Sequence, residues 1–249
     1  MISPQLSYYP LSERVVAFST TRHGGVSEGN YGEFNINNYC GDNPAHIAVN
    51  RQALAAVLDI PESHIVMPHQ VHGTEVRRVD GPIGETIEGV DALMTDVPGM
   101  CIGVSTADCI PILIYDPQHH AACAVHAGWR GTVKRILQVA IAAMNRAYKS
   151  NPSQMRVVIG PGISLESFEV GDEVYQQFSE AGFEMDVIAQ RYAKWHINLP
   201  LCNRMQLEQM GVKDIAVSDI CTYRQYHDYF SARRLGLHSG RVFTGIMLR

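Results

Sequence analysis

Three apolar runs in close succession, MCIGVST, IPILIYD and ACAVHA over residues 100–126, constrain this chain more than any other stretch. Each is bounded by turn signals and rich in Val, Ile, Leu and Ala, the pattern of strands buried on both faces. They predict buried strands of one sheet, and a chain of 249 residues is long enough to cover it. Further strands are expected at 15–20, 76–81, 92–96, 155–160, 215–220 and 242–248. Helices are expected at 44–58, with Pro44 in the first turn, at 131–148 with one apolar face, at 172–181 ending on Gly182, and at 198–210 between Asn198 and Gly211. This mix is α/β or α+β, and the pattern leaves strand order open. No linker, repeat or low-complexity segment divides the chain, so residues 1–249 read as a single domain. The Gly-rich stretch 23–42 carries too many aromatics and Asn to be a spacer and reads as an ordered loop.

Three metal-capable side chains close three of these segments. His72 lies in PHQVHGTEV, Cys109 in STADCIPILIYD and His126 in AVHAGWRGTV. One Cys and two His suit a borderline-soft ion such as zinc and leave a fourth position open, as catalytic metals require. The alternative for each is a hydrogen-bonded core or surface group, since the chain has 11 His and 6 Cys and the spacing matches no standard finger or protease pattern. Gly73, Gly128 and Gly131 sit beside the three, where backbone turns or approaches closely. Cys109 follows one strand, His126 ends another and His72 precedes a third, so strand ends can bring them to one point.

These motifs carry a resemblance. HQVHG, TADCIPIL and AVHAGWRG resemble the polyphenol oxidase or laccase-domain family, recognised as purine nucleoside phosphorylases with adenosine deaminase activity. TTRHGGVSEGNYGEFNINNYCGD at 20–42, IGPGISLESFEVGDEV at 159–174, DICTY at 219–223 and YFSARR at 229–234 are similar to further segments of that family, in order along almost the whole chain. The resemblance implies an α+β fold built as a four-layer α/β/β/α sandwich with mixed sheets. It implies zinc, with copper as the alternative metal, held by His72, Cys109 and His126. It also implies phosphorolysis of adenosine and inosine, and of methylthioadenosine as a further substrate, with adenosine deaminated as well.

Phosphate needs a guanidinium or backbone amides beside the ribose. Arg130, at the start of the expected 131–148 helix, and Arg51, on the 44–58 helix, are the expected anion ligands; Asn37 and Gln70 are expected to hydrogen-bond base or sugar. Asp108, next to Cys109, is expected either to orient a ligand His or to cap a turn. His69 is expected to line the pocket. A second reading keeps Cys109 and His126 as a metal-free nucleophile and base of a cysteine hydrolase or deamidase. A third is a copper-dependent polyphenol oxidase, which the lack of dense HxH pairs disfavours, and a fourth is a zinc-stabilised binding module without catalysis.

Net charge of −5 without a Lys/Arg run disfavours nucleic acid and anionic membranes as partners. No apolar stretch reaches the length of a membrane span. With no secretory pattern at Met1–Phe18 and no CxxC pair, the cysteines read as reduced thiols of a cytoplasmic protein, monomer or homodimer.

Overall fold

The structure is a computed structural model that describes residues 2–84 and 86–249. Two mixed sheets form its frame. The first runs in the order Leu6–Tyr8, Val15–Thr20, Val242–Leu248, Cys101–Thr106, Ile65–Val66; the second runs Asp214–Val217, Arg156–Ile159, Ile110–Asp116, Ala121–Ala127, Ala92–Thr95, Val76–Arg78. A small third sheet joins Glu169–Val170, Trp195–Ile197 and Ala189–Arg191. Nothing in the sequence pattern had signalled that sheet or the edge strand at Leu6–Tyr8.

Alternation along each strand divides the core into layers. Ile102, Val104, Ile246 and Leu248 of the first sheet pack against Leu113, Tyr115, Ala122 and Ala124 of the second. The opposite face of the second sheet, through Ile112, Ile114, Cys123 and Val125, meets Leu137, Ile141 and Met144 of the helix Ile136–Tyr148. The opposite face of the first sheet, through Phe18, Cys101 and Phe243, meets Leu54, Ala55 and Leu58 of the helix Pro44–Leu58. Helix, sheet, sheet and helix are therefore stacked in that order, an α+β sandwich of four layers.

Two expectations need correction. The runs at 100–126 do not share one sheet: Cys101–Thr106 belongs to the first, whereas Ile110–Asp116 and Ala121–Ala127 belong to the second. The chain crosses between sheets at Ala107–Cys109, where Asp108 adopts a φ of 85°. Strands of both sheets are buried on both faces, so hydrophobicity could not separate them. The helix expected over 131–148 is two pieces, Trp129–Val133 and Ile136–Tyr148. Arg135 between them is left-handed, held by its guanidinium donating to Ala181 O at 2.7 Å and lying 3.7 Å from the centroid of the Phe183 ring.

The helix Pro44–Leu58 also fixes the Gly-rich loop. Its fully buried Asn50 donates to Ser27 Oγ and Asn35 O and accepts from Val26 N–H. A polar side chain inside a helix would cost stability without such partners; here it pins residues 26–35 beside the sheet ends. Among the described residues no helix is long and apolar enough to cross a membrane.

Leu113 is fully buried between the sheets. Leu113→Ala should lower unfolding free energy by about 2–5 kcal/mol, read from urea denaturation. A loss below roughly 1 kcal/mol would mean that the inter-sheet layer is not the packed core described here.

Candidate metal centre

Strand register brings the three metal-capable residues together. Ile110 pairs with Ala127 and Pro111 with His126, so the residue before Ile110, Cys109, falls opposite Gly128. Ala92 pairs with Val125, so Asp91 falls opposite His126, whose N–H donates to Asp91 O at 2.8 Å. One ligand atom from each of His72, Cys109 and His126 lies within 4.8 Å of the other two. Cys109 Sγ is 3.8 Å from His72 Nε2, close to the roughly 3.6 Å expected between sulfur and nitrogen on a tetrahedral zinc. A Cβ built on Gly128 would stand 2.8 Å from His72 Cδ2 and 3.0 Å from Cys109 Sγ. Only a residue without a side chain lets the three donors converge there.

Asp91 organises the site. Its Oδ1 accepts from His126 Nδ1 at 2.7 Å and from His72 N–H at 2.9 Å; its Oδ2 accepts from Gly73 N–H at 2.7 Å and Val71 N–H at 3.2 Å. The carboxylate is fully buried. Burial works against its charge, but the His126 hydrogen bond and charge and the two loop amides hold its pKa below the ordinary value. Because a carboxylate only accepts, the contact places a proton on His126 Nδ1 and leaves Nε2 as the ligand atom. The same carboxylate clamps the loop at 71–73, where His72 sits at a φ of 60°.

The donors are electrically coupled. Burial pushes the Cys109 thiol up, but the charge on His126, hydrogen bonds to His126 and His72 and the charge on His72 bring it down to about 6. Burial pushes His126 down, but the Cys109 charge and Asp91 raise it to about 9. The metal-free pair is thus thiolate and imidazolium near neutrality. A soft thiolate, two imidazoles, an oriented tautomer and a glycine cradle fit a borderline-soft ion.

The cluster opens into a cleft of about 220 Å³, whose wall includes Asn37, Tyr39, His69, Gln70 and Arg241. Asn37 and Gln70 are where the sequence reading puts them, but their amides are engaged by Ser105. Gln70 Nε2 donates to Ser105 O and its Oε1 accepts from Ser105 N–H, both at 2.8 Å, and Asn37 Nδ2 donates to Ser105 Oγ at 2.6 Å. Neither expected arginine lines the cleft. Arg51 donates to Glu62 Oε1 and Ile65 O, both at 3.0 Å, and borders a separate cavity. Arg130 is exposed, its guanidinium 4.3 Å from the centroid of its neighbour Trp129. Trp129 packs against the core as an anchor.

Asp108 does not orient a ligand His. Its carboxylate accepts from Thr222 Oγ1 and Arg233 N–H, both at 2.7 Å, and so ties the DICTY and SARR segments to the inter-sheet turn. The sequence reading missed Asp91 and Arg241. The signal for Asp91 was a carboxylate opening an otherwise apolar strand, DALMT. Arg241 precedes VFTGIML in the same way and is the single Arg or Lys among the residues lining the cleft.

Residues 16–249 match the family described as multi-copper polyphenol oxidoreductase laccase. The chain is similar to a purine nucleoside phosphorylase of Bacteroides thetaiotaomicron, 42% identical over 98% of this chain and 96% of that protein. It is also similar to adenosine deaminase RL5 of an unknown prokaryotic organism, 39% identical over 97% of each chain. Among solved structures, the hypothetical protein YfiH of Bacillus licheniformis superposes with a TM-score of 0.94 at 28% identity, covering 99% of this chain and 97% of that one.

Asp91→Asn removes the charge but keeps the shape. It should weaken zinc binding by about 10–100-fold, measured by competition with a chromogenic chelator; unchanged affinity would show that Asp91 does not organise the ligands. Zinc must meet deprotonated donors. Between the Cys109 value of about 6 and the His126 value of about 9 the pair holds one proton that a metal must displace, on His126 Nε2. Zinc binding in weak buffer should therefore release about one proton from this pair in that window, about two below it and none above it. A release independent of pH would contradict the thiolate–imidazolium pairing.

Proposed function

The chain belongs to the multi-copper polyphenol oxidoreductase laccase family, and on that premise we propose that it is a zinc-dependent purine nucleoside phosphorylase with adenosine deaminase activity. The observation that carries this reading is the cluster of His72, Cys109 and His126 at the cleft, in a chain similar along its length to proteins with those two names. Adenosine and inosine are the proposed substrates, with methylthioadenosine a further one, and phosphate is the co-substrate. A single cytoplasmic domain spanning 1–249, monomeric or homodimeric, completes the proposal.

His72, Cys109 and His126 hold the metal. When bound there, zinc supplies Lewis acidity that polarises a substrate group or lowers the pKa of water. The chain's own residues do the rest. Asp91 keeps the His126 proton on Nδ1 and fixes the His72 loop. Asn37 and Gln70, braced on Ser105, form the wall against which base and sugar are oriented. Arg241 supplies the positive charge that phosphate needs. Its guanidinium already donates to Ser239 O, Gly240 O and Leu237 O, which rigidifies the fork and leaves its charge in the cleft. Arg51 and Arg130, expected from sequence to fill that role, are replaced by Arg241.

Multicopper oxidation of phenols needs more histidine ligands than this site offers: among the described residues one group of three His, Cys or acidic donors is close enough to share an ion. A second reading keeps Cys109 as a nucleophile activated by His126 in a metal-free cysteine hydrolase or deamidase. The depressed thiol pKa of about 6 favours it. In that case metal-free protein would be fully active and alkylation of Cys109 would abolish activity.

The deciding assay incubates adenosine and inosine with and without phosphate and quantifies adenine, hypoxanthine, inosine and ribose 1-phosphate. Phosphate-dependent ribose 1-phosphate is expected, and Cys109→Ala should remove it. Arg241→Ala should raise the KM for phosphate by about 10–100-fold, the equivalent of 1.5–3 kcal/mol for a charged hydrogen bond, with deamination much less affected. If no purine nucleoside yields ribose 1-phosphate, the phosphorylase assignment fails.

A further inference from the structure

The cleft holds a second imidazole with its own carboxylate, outside the metal-binding trio. His69 lines the same cavity, and its Nδ1 lies 2.6 Å from Glu88 Oε2. A carboxylate only accepts, so the contact puts a proton on Nδ1 and leaves Nε2 as the ring atom available for exchange. Backbone and ring contacts restrain the pair. His69 N–H donates to Ile87 O at 2.8 Å and Gly89 N–H donates to His69 O at 3.1 Å, a parallel bridge between His69 and Glu88. The imidazole also stacks on Tyr39, with centroids 4.1 Å apart and 17° between planes. Tyr39 is itself placed by its N–H donating to Asn37 Oδ1 at 2.7 Å.

The cleft therefore contains the carboxylate–imidazole arrangement twice, in two environments. His126 with Asp91 is 3% and 0% exposed, and its free nitrogen is taken up by the metal cluster. His69 with Glu88 is 40% and 65% exposed, in contact with both the cleft and solvent. A group that delivers a proton to a substrate and is recharged at each turnover needs both contacts. An ion pair this exposed adds little stability, so stability does not account for a ring held by a carboxylate, a backbone bridge and an aromatic stack.

We propose that His69, oriented by Glu88, is the catalytic acid that protonates the departing purine during phosphorolysis; the inference rests on the phosphorylase reading above. In that step an oxygen of the hydrogen phosphate dianion bonds to C1′ of the ribose. The C1′–N9 bond breaks and its electron pair goes to the purine. The Nε2 proton of the His69 imidazolium passes to N7, and the base leaves neutral. The hydroxyl proton of the phosphate returns to Nε2 through water, so ribose 1-phosphate leaves as the dianion and His69 is regenerated.

The test compares inosine, whose base needs a proton to leave, with 7-methylinosine, which releases neutral 7-methylhypoxanthine without one. Ribose 1-phosphate formation is measured for wild type, His69→Ala and Glu88→Gln. His69→Ala should lower kcat/KM for inosine by about 10²–10³-fold and for 7-methylinosine by less than about threefold. Glu88→Gln should show the same selectivity with a smaller loss. Equal losses on the two nucleosides, or no loss on inosine, would overturn the proposal and leave the phosphorylase reading standing. No ribose 1-phosphate from wild type with either nucleoside would overturn that reading, and this proposal with it.

Discussion

One buried carboxylate holds the candidate site together. Asp91 takes a hydrogen bond from the His126 ring and from three successive loop amides, Val71 to Gly73. A buried charge with so many donors is stable; the same charge with one partner missing is not, and breaking such an arrangement costs on the order of 3–5 kcal/mol. Two ligands from distant parts of the chain thus share one counter-charge. His72 keeps a left-handed backbone because the amides on either side of it, and its own, are claimed. His126 keeps one tautomer because its Nδ1 is claimed. Loop conformation, ring orientation and the convergence of the three donors are consequences of a single electrostatic constraint.

The sandwich supplies the rigid ends from which that constraint acts. Cys109 leaves the turn that carries the chain from one sheet to the other, and His126 and Asp91 face each other on paired strands of the second. Close packing between the sheets resists displacement of these ends. Asp108, at the turn itself, extends the arrangement outward by binding Thr222 and Arg233, so the segment carrying Ala232, more than a hundred residues away, lines the cleft. Gly128 completes the geometry by leaving space where any Cβ would touch two ligands.

The electrostatics of the cleft differ from those of the molecule. The chain is acidic overall, at −5, yet the cleft wall carries Arg241 and two histidines braced by carboxylates. An arginine in a partly enclosed cleft of an acidic protein can hold a small anion without attracting polyanions. Local fields of this kind depend on which arginine points where. Arg51 is diverted by Glu62 and a carbonyl, and Arg130 is drawn onto Trp129.

Sequence by itself determined most of the strands and helices and pointed to three metal-capable donors. Most strand and helix positions followed from hydrophobic period, Pro44, Asn198 and Gly182 mark helix ends as their chemistry requires, and the motifs around His72, Cys109 and His126 were legible as metal-capable donors beside glycines. What those local signals could not contain was pairing. The assignment of 101–106 and 110–116 to different sheets turns on strands that are apolar on both faces, where the pattern is the same for either sheet. The break at Arg135 depends on Ala181 and Phe183, Arg241 lines the cleft while other partners hold Arg51 and Arg130 away from it, and Asp91 becomes the organising residue through a strand register that sets it opposite His126. Hydrogen bonds and charges act over a few ångströms in space, and only the tertiary structure decides which residues come within that range.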